Sequence, residues 1–129
     1  ILPVGSMSGT TPMPYFAVYS ASKAFLANFF TALRYEVKDA KITTLIPGGI
    51  PTRPDIINDI KVQGVTGKLS SKPASFVVRK ALKALSKNKR KVIPGAFNKF
   101  VYCLEKVTPL SIRLKFISRK WGNKEKDAF

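Results

Sequence analysis

Tyr19 and Lys23 stand four residues apart in a stretch free of proline and glycine, so on a helix their side chains share one face. A phenol titrates near pH 10, too high for proton transfer at neutral pH. An ammonium held close favours the phenolate and makes such a tyrosine a usable acid or base. Ser6, thirteen residues before Tyr19, brings a hydroxyl able to orient a carbonyl or an alcohol. Taken alone, the pair reads more simply as a surface contact on a helix, so its context decides.

The elements around these residues alternate. Ile1–Val4 is apolar and runs into Gly5-Ser6-Met7-Ser8-Gly9, which predicts a strand leading to a loop, weakened by Pro3 because proline donates nothing to a ladder. Ala17 to Val37 predicts a helix whose apolar surface (Ala24, Phe25, Leu26, Phe29, Phe30, Leu33, Val37) is wider than one stripe. Such a helix should be buried on more than one side, against a partner. Ile42–Ile46 reads as a short buried strand ended by Pro47-Gly48-Gly49. Residues 50–70 read as a long loop with one short helix. A second helix follows, capped by Ser71 with Pro73 in its first turn, and Ala74, Val77, Val78, Ala81, Leu82 and Leu85 recur at helical spacing. Lys91–Ile93 is a strand candidate. Phe97, Phe100, Val101, Leu104 and Val107 mark a third helix ended at Thr108-Pro109, and Leu110, Leu114, Ile117 and Trp121 a fourth.

Strand–helix alternation points to an α/β fold, a parallel sheet with helices on its faces. Ligands of such sheets bind beyond the carboxyl ends of the strands. Ser6 and the turn Pro47-Gly48-Gly49-Ile50-Pro51-Thr52 both follow strands, so they belong on one edge.

With 129 residues, 45% of them apolar, the chain has the size of one domain and can bury a core. The single Cys103 and the absence of histidine exclude a disulfide framework, imidazole catalysis and a thiolate or histidine metal centre. No metal is expected, and Cys103 reads as an inert buried thiol. No apolar run approaches the roughly 20 residues that cross a bilayer. The chain opens at Ile1 rather than methionine, which suggests an N-terminus further upstream and leaves targeting unread from this end.

Gly5-Ser6-Met7-Ser8-Gly9, Tyr19-Ser20-Ala21-Ser22-Lys23 and Pro47-Gly48-Gly49-Ile50-Pro51-Thr52, in this order and spacing, resemble the short-chain dehydrogenase/reductase family. The resemblance is close over residues 1 to about 53 and weaker beyond. It implies a Rossmann-like doubly wound parallel sheet of which only the C-terminal half is present. Residues 1–129 would be the C-terminal part of one NAD(P)-binding domain, with the catalytic motif in 1–53 and the substrate loop and C-terminal helices in 54–129. A member of the family is roughly twice this long and carries its glycine-rich pyrophosphate turn in the other half. The 129 residues alone are therefore not expected to bind a dinucleotide. By resemblance, Tyr19 is the catalytic acid/base, Lys23 assists it and holds the cofactor ribose, and Ser6 bonds the reacting oxygen. Pro47, Gly48, Ile50 and Thr52 would line the nicotinamide pocket. Ser8 is two residues out of register for the serine role, and Ser20 and Ser22 read as packing or solvating the helix. The reaction implied is hydride transfer between a nicotinamide, NADP(H) in preference to NAD(H), and a carbonyl or alcohol.

The charge is unevenly spread. Residues 1–60 carry five basic and four acidic side chains, residues 61–129 eighteen and three. Phosphate contacts would use such charge, but no nucleic-acid module is recognisable and nucleic acid is not an expected partner. Residues 96–121 read in two ways. Either they form a basic amphipathic helix pair on anionic lipid, or their apolar stripe packs on the sheet with the lysines solvated. The remaining expectations are a homodimer or homotetramer through the helix at 17–38 and a cytoplasmic protein, with or without peripheral membrane association. The alternative to the enzyme is a non-catalytic truncated fragment or a basic membrane-surface protein.

Overall fold

A computed structural model describes residues 1–122; the last seven positions of the 54–129 segment lie outside the described residues. A 3-10 turn at Met7–Gly9 precedes helix α1 (Ala17–Glu36), strand β1 (Thr44–Leu45), helices α2 (Pro54–Val62), α3 (Gly64–Ser70) and α4 (Ala74–Ser86), strand β2 (Lys91–Val92), and helices α5 (Ala96–Val107) and α6 (Leu110–Trp121).

Parallel pairing joins Thr44 to Lys91 and Leu45 to Val92. On the other side of β1, Val4 makes one parallel bridge to Leu45. The reason for a single bridge is visible in the bonds. Thr43 N–H reaches Ile1 O, Leu45 N–H reaches Pro3 O, and Gly5 N–H reaches Leu45 O at 2.8–3.0 Å. The next ladder bond would require an N–H at Pro3, which proline lacks. The expected strand 1–4 therefore shrinks to a bridge, and the expected strand 42–46 is regular only at Thr44–Leu45, although residues 42–46 are all buried.

Leu45 packs with Val77 and Ala81 of α4, joined by Leu2, Ile50 and Val92. Thr44 and Ile46 point to the opposite face by strand alternation. Helix α1 buries only Ser20 fully. Phe25 (63% exposed) stacks on Phe29 at 5.6 Å in the open, so the described residues cover only part of the wide apolar surface read from its sequence, leaving Ala24, Leu26, Phe30 and Leu33 half-buried.

Three readings are corrected. Residues 50–70 hold two helices rather than one, because Pro54 opens α2 at its first position and Gly64, at positive φ, begins α3 after a break. Ser71 does not cap α4: that helix starts at Ala74 with Pro73 as its N-cap residue and no side-chain cap. Ser71 is instead the extended C-cap of α3; Pro73 disfavours helical geometry in Lys72, the residue before it, and Lys72 N–H bonds Gly49 O at 3.0 Å. Cys103 is exposed rather than buried.

That last correction belongs to a larger one. The inward face of α5 carries Phe97, Asn98, Val101, Tyr102 and Glu105, while Phe100, Cys103, Leu104 and Val107 face out. Gly95, at φ 95°, starts this helix in a conformation that suits glycine. Asn98 is 2% exposed and donates through Nδ2 to Ser70 O (2.9 Å) and Pro94 O (2.8 Å). It thereby ties the end of α3 to the start of α5. Removing it strands one buried and one half-buried acceptor, so Asn98→Ala should cost the intact protein about 1–3 kcal/mol. Chemical denaturation checks this, and an unchanged midpoint would show that neither bond matters.

Candidate active site

Ser6 is held from both sides. Gly5 N–H bonds Leu45 O and Met7 N–H bonds Pro47 O at 2.9 Å, so the residue sits where the first strand leaves the sheet, beside the end of β1. Its Oγ accepts the Ser8 N–H at 3.1 Å and caps the 3-10 turn. A hydroxyl that accepts in this way keeps its own hydrogen for donation.

The turn then meets α1 with no space to spare. A Cβ on Gly9 would fall 2.7 Å from the Lys23 carbonyl carbon and 2.8 Å from Lys23 Cβ. Backbone contact at Gly9 thus sets the separation between the Ser6 loop and the helix face that carries Tyr19 and Lys23. Lys23 Nζ lies 5.7 Å from the Tyr19 ring centroid and donates to Val4 O at 3.0 Å. Of the three ammonium hydrogens, this bond uses one. Ser20, buried, bonds Thr11 O, and Ser22 bonds Tyr19 O within the helix. Ser20 packs the helix, and the exposed Ser22 bonds back onto it.

Beyond β1, Thr52 folds the turn onto itself, its N–H bonding Ile50 O at 2.8 Å. Gly48 is wedged: a Cβ there would come within 2.5 Å of Ser70 Oγ and 2.8 Å of Asn98 Nδ2. Ser6, Tyr19, Lys23, Pro47, Gly48, Ile50 and Thr52 all line one groove of about 630 Å³, and Ser8 lines it too. The far wall comes from α2, α5 and α6 and includes Ile56, Ile60, Phe97, Val101, Ile117 and Trp121. It is mainly apolar. Trp121 meets Phe16 edge-on, with centroids 5.0 Å apart.

Sequence reasoning missed the polar ties behind this wall. Glu105 Oε2 accepts from Thr10 Oγ1 at 2.5 Å, and Arg113 Nη1 donates to Thr11 Oγ1 at 2.6 Å. Burial pushes the Glu105 carboxyl up, against the Thr10 hydrogen bond and the Arg113 charge, which pull it down. Lys120, lowered by burial, lines the groove and donates to Thr66 Oγ1 at 2.8 Å. The available signal was Glu105 itself, the sole acid of α5 and α6.

The residues present suit the nicotinamide-ribose portion of a dinucleotide. An ammonium with hydrogens to spare, a phenol and a half-buried turn form one wall of the groove. Among the described residues there is no glycine-rich strand–helix turn for a pyrophosphate.

Residues 1–57 match the family of short chain dehydrogenases. Over 110 residues, 84% of this chain and 35% of the relative, the sequence is 29% identical to 11-beta-hydroxysteroid dehydrogenase-like 2 of Arabidopsis thaliana. A shorter stretch of 39 residues, 30% of this chain and 12% of the relative, is 54% identical to the very-long-chain 3-oxoacyl-CoA reductase of Neurospora crassa. No solved structure matches. The match to the short-chain dehydrogenase/reductase family thus lies in residues 1–57, the segment that carries Ser6, Tyr19, Lys23 and the Pro47–Thr52 turn. The chain spans about a third of the length of the first of these relatives.

Because Gly9 has no room for a side chain, Gly9→Ala must push the turn off α1. The expected loss is about 1–3 kcal/mol of stability, the usual range for overpacking. Denaturation of the intact protein would measure it, and an unshifted curve would mean that the turn does not bear on Lys23 as described.

Proposed function

We propose that the intact protein is an NAD(P)(H)-dependent oxidoreductase that interconverts a carbonyl and an alcohol. The observation that carries this reading is the gathering of Ser6, Tyr19, Lys23 and the Pro47–Thr52 turn along one groove. When bound, the cofactor supplies the hydride that the carbonyl carbon accepts. Tyr19 gives its hydroxyl proton to the carbonyl oxygen, completing the alcohol. The Ser6 hydroxyl, its lone pair engaged by Ser8 N–H, donates a hydrogen bond to the same oxygen. Lys23 holds the ribose and keeps positive charge beside the phenol, while Pro47, Gly48, Ile50 and Thr52 flank the nicotinamide. The preference for NADP(H) over NAD(H) rests on the family resemblance alone.

The apolar wall of α2, α5 and α6 favours a substrate whose carbonyl sits on a large apolar body. The names of the relatives, a hydroxysteroid dehydrogenase and a very-long-chain 3-oxoacyl-CoA reductase, agree with that class. The uncovered Phe25–Phe29 face of α1 is the surface we assign to a homodimer or homotetramer, and a cytoplasmic site of action accompanies this reading.

Tyr19→Phe deletes one hydroxyl and leaves packing intact, so turnover should fall by roughly 100-fold or more while the fold is kept. Near-normal turnover would remove Tyr19 from the acid/base role. Lys23→Met should weaken NAD(P)H binding and also lower turnover, because the ammonium has two tasks. Titration of the cofactor against the variant separates them, and unaltered affinity would rule out the ribose contact.

A further inference from the structure

The outward side of α5 is its apolar side. Phe100 is 63% exposed, Leu104 49% and Val107 79%, and Ile112 on α6 follows at 59%. Three of these lie at i, i+4 and i+7 along one helix, so they form a stripe roughly 10 Å long at 1.5 Å per residue. Thr108-Pro109 ends that helix and starts the next, which brings Ile112 in beyond the stripe's end. Solvated helices normally show the opposite arrangement. The stripe is also separate from the groove, whose walls use Phe97, Val101 and Glu105 from the other side of α5.

Its charge is one-sided. Lys99, Lys106, Lys115 and Arg119 are exposed on these two helices. Glu105, their single acidic residue, faces the groove and Thr10. Two other cations of these helices are directed elsewhere, Arg113 to Thr11 and Lys120 to Thr66, and the exposed Lys106 flanks the stripe with its Nζ 5.3 Å from the Tyr102 ring centroid.

We infer that the outer face of α5 and α6 docks on an anionic lipid surface, with Phe100, Leu104 and Val107 entering the headgroup region and the four cations meeting lipid phosphates or carboxylates. A second copy is the weaker occupant, since a two-fold contact sets each patch against itself and would oppose cations with cations. Bulky apolar residues ringed by long basic ones suit a bilayer interface, where lysine stems lie along apolar surface and their ammonium groups stay wet. The inference does not depend on Tyr19 chemistry.

The test is co-sedimentation of the intact protein with vesicles of phosphatidylcholine alone and of phosphatidylcholine mixed with phosphatidylserine, across a salt series. Binding should require phosphatidylserine and weaken as salt rises, because exposed charges are screened over about 10 Å at 0.1 M. Changing Lys99, Lys106, Lys115 and Arg119 together to Gln should lower partitioning by up to roughly 600-fold, given about a fivefold effect per cation near an acidic surface. Phe100→Gln with Leu104→Gln and Val107→Gln should lower it by at least a similar factor, since three buried apolar side chains are lost. Thermal melting confirms that both variants fold. Equal sedimentation of wild type and variants would overturn the inference, as would salt-independent binding to neutral vesicles. A wild-type protein that ignores vesicles, and whose apolar variant falls from a dimer to a monomer, would assign the face to a second copy instead.

Discussion

The candidate site depends on one close approach, the backbone of Gly9 against the backbone of Lys23. Ser6 and Tyr19 lie on different elements, and the packing of the 3-10 turn on α1, with the bonds from Lys23 to Val4 O and from Ser20 to Thr11 O, fixes how far apart those elements sit. The neighbouring ties make the contact rigid. Gly5 and Met7 are hydrogen-bonded to Leu45 and Pro47, so the Ser6 loop cannot retreat from α1 without breaking from the end of β1. The turn after β1 is in turn held by Lys72 N–H on Gly49 O. Movement at any one of these points is passed to the others through backbone bonds rather than side chains.

A second set of ties holds the far wall. Asn98 joins α3 to α5, Glu105 joins α5 to Thr10, and Arg113 joins α6 to Thr11. All three are polar side chains in half-buried or buried positions, where an unmet group is costly. Arg113 illustrates the cost, since its Nε is buried without a hydrogen-bond partner among the described residues. The segment Thr10–Thr11 therefore serves both walls: it leads from the Ser6 turn to α1 and also receives the two C-terminal helices.

The short-range part of this arrangement was legible in the sequence. Tyr19 and Lys23 share a helix face because four residues make nearly one turn, and Ser6 and Pro47 follow apolar stretches that turn residues must end. Helices α1, α5 and α6 begin and end within a residue or two of where proline, glycine and apolar spacing place them. Strand lengths were less legible, because Pro3 removes a ladder donor and that loss acts through its neighbour, Thr43. The Ser71 cap failed because Pro73 constrains the residue before it and Gly49 captures the Lys72 amide, a long-range bond invisible in local sequence. Gly9 was noticed only as part of a motif. Its role is the absence of a side chain at a contact, which no spacing rule reports.

Helix α5 shows most clearly what periodicity leaves open. Phe97, Phe100, Val101, Leu104 and Val107 lie at helical spacing and read as one stripe facing a core. In the fold the stripe is divided, with Phe97 and Val101 turned to the groove and Phe100, Leu104 and Val107 turned away. The helix takes this orientation because its polar residues have specific inward partners. Asn98 completes the buried Pro94 carbonyl and the half-buried Ser70 carbonyl and Glu105 meets Thr10, whereas the outward residues have only area to gain. Burying area is non-directional, so it sets no preference among rotations that hide equal amounts of it. Hydrogen bonds between fixed partners do. In this protein a single asparagine and a single glutamate thus determine which apolar residues line the groove and which are left for another surface to cover.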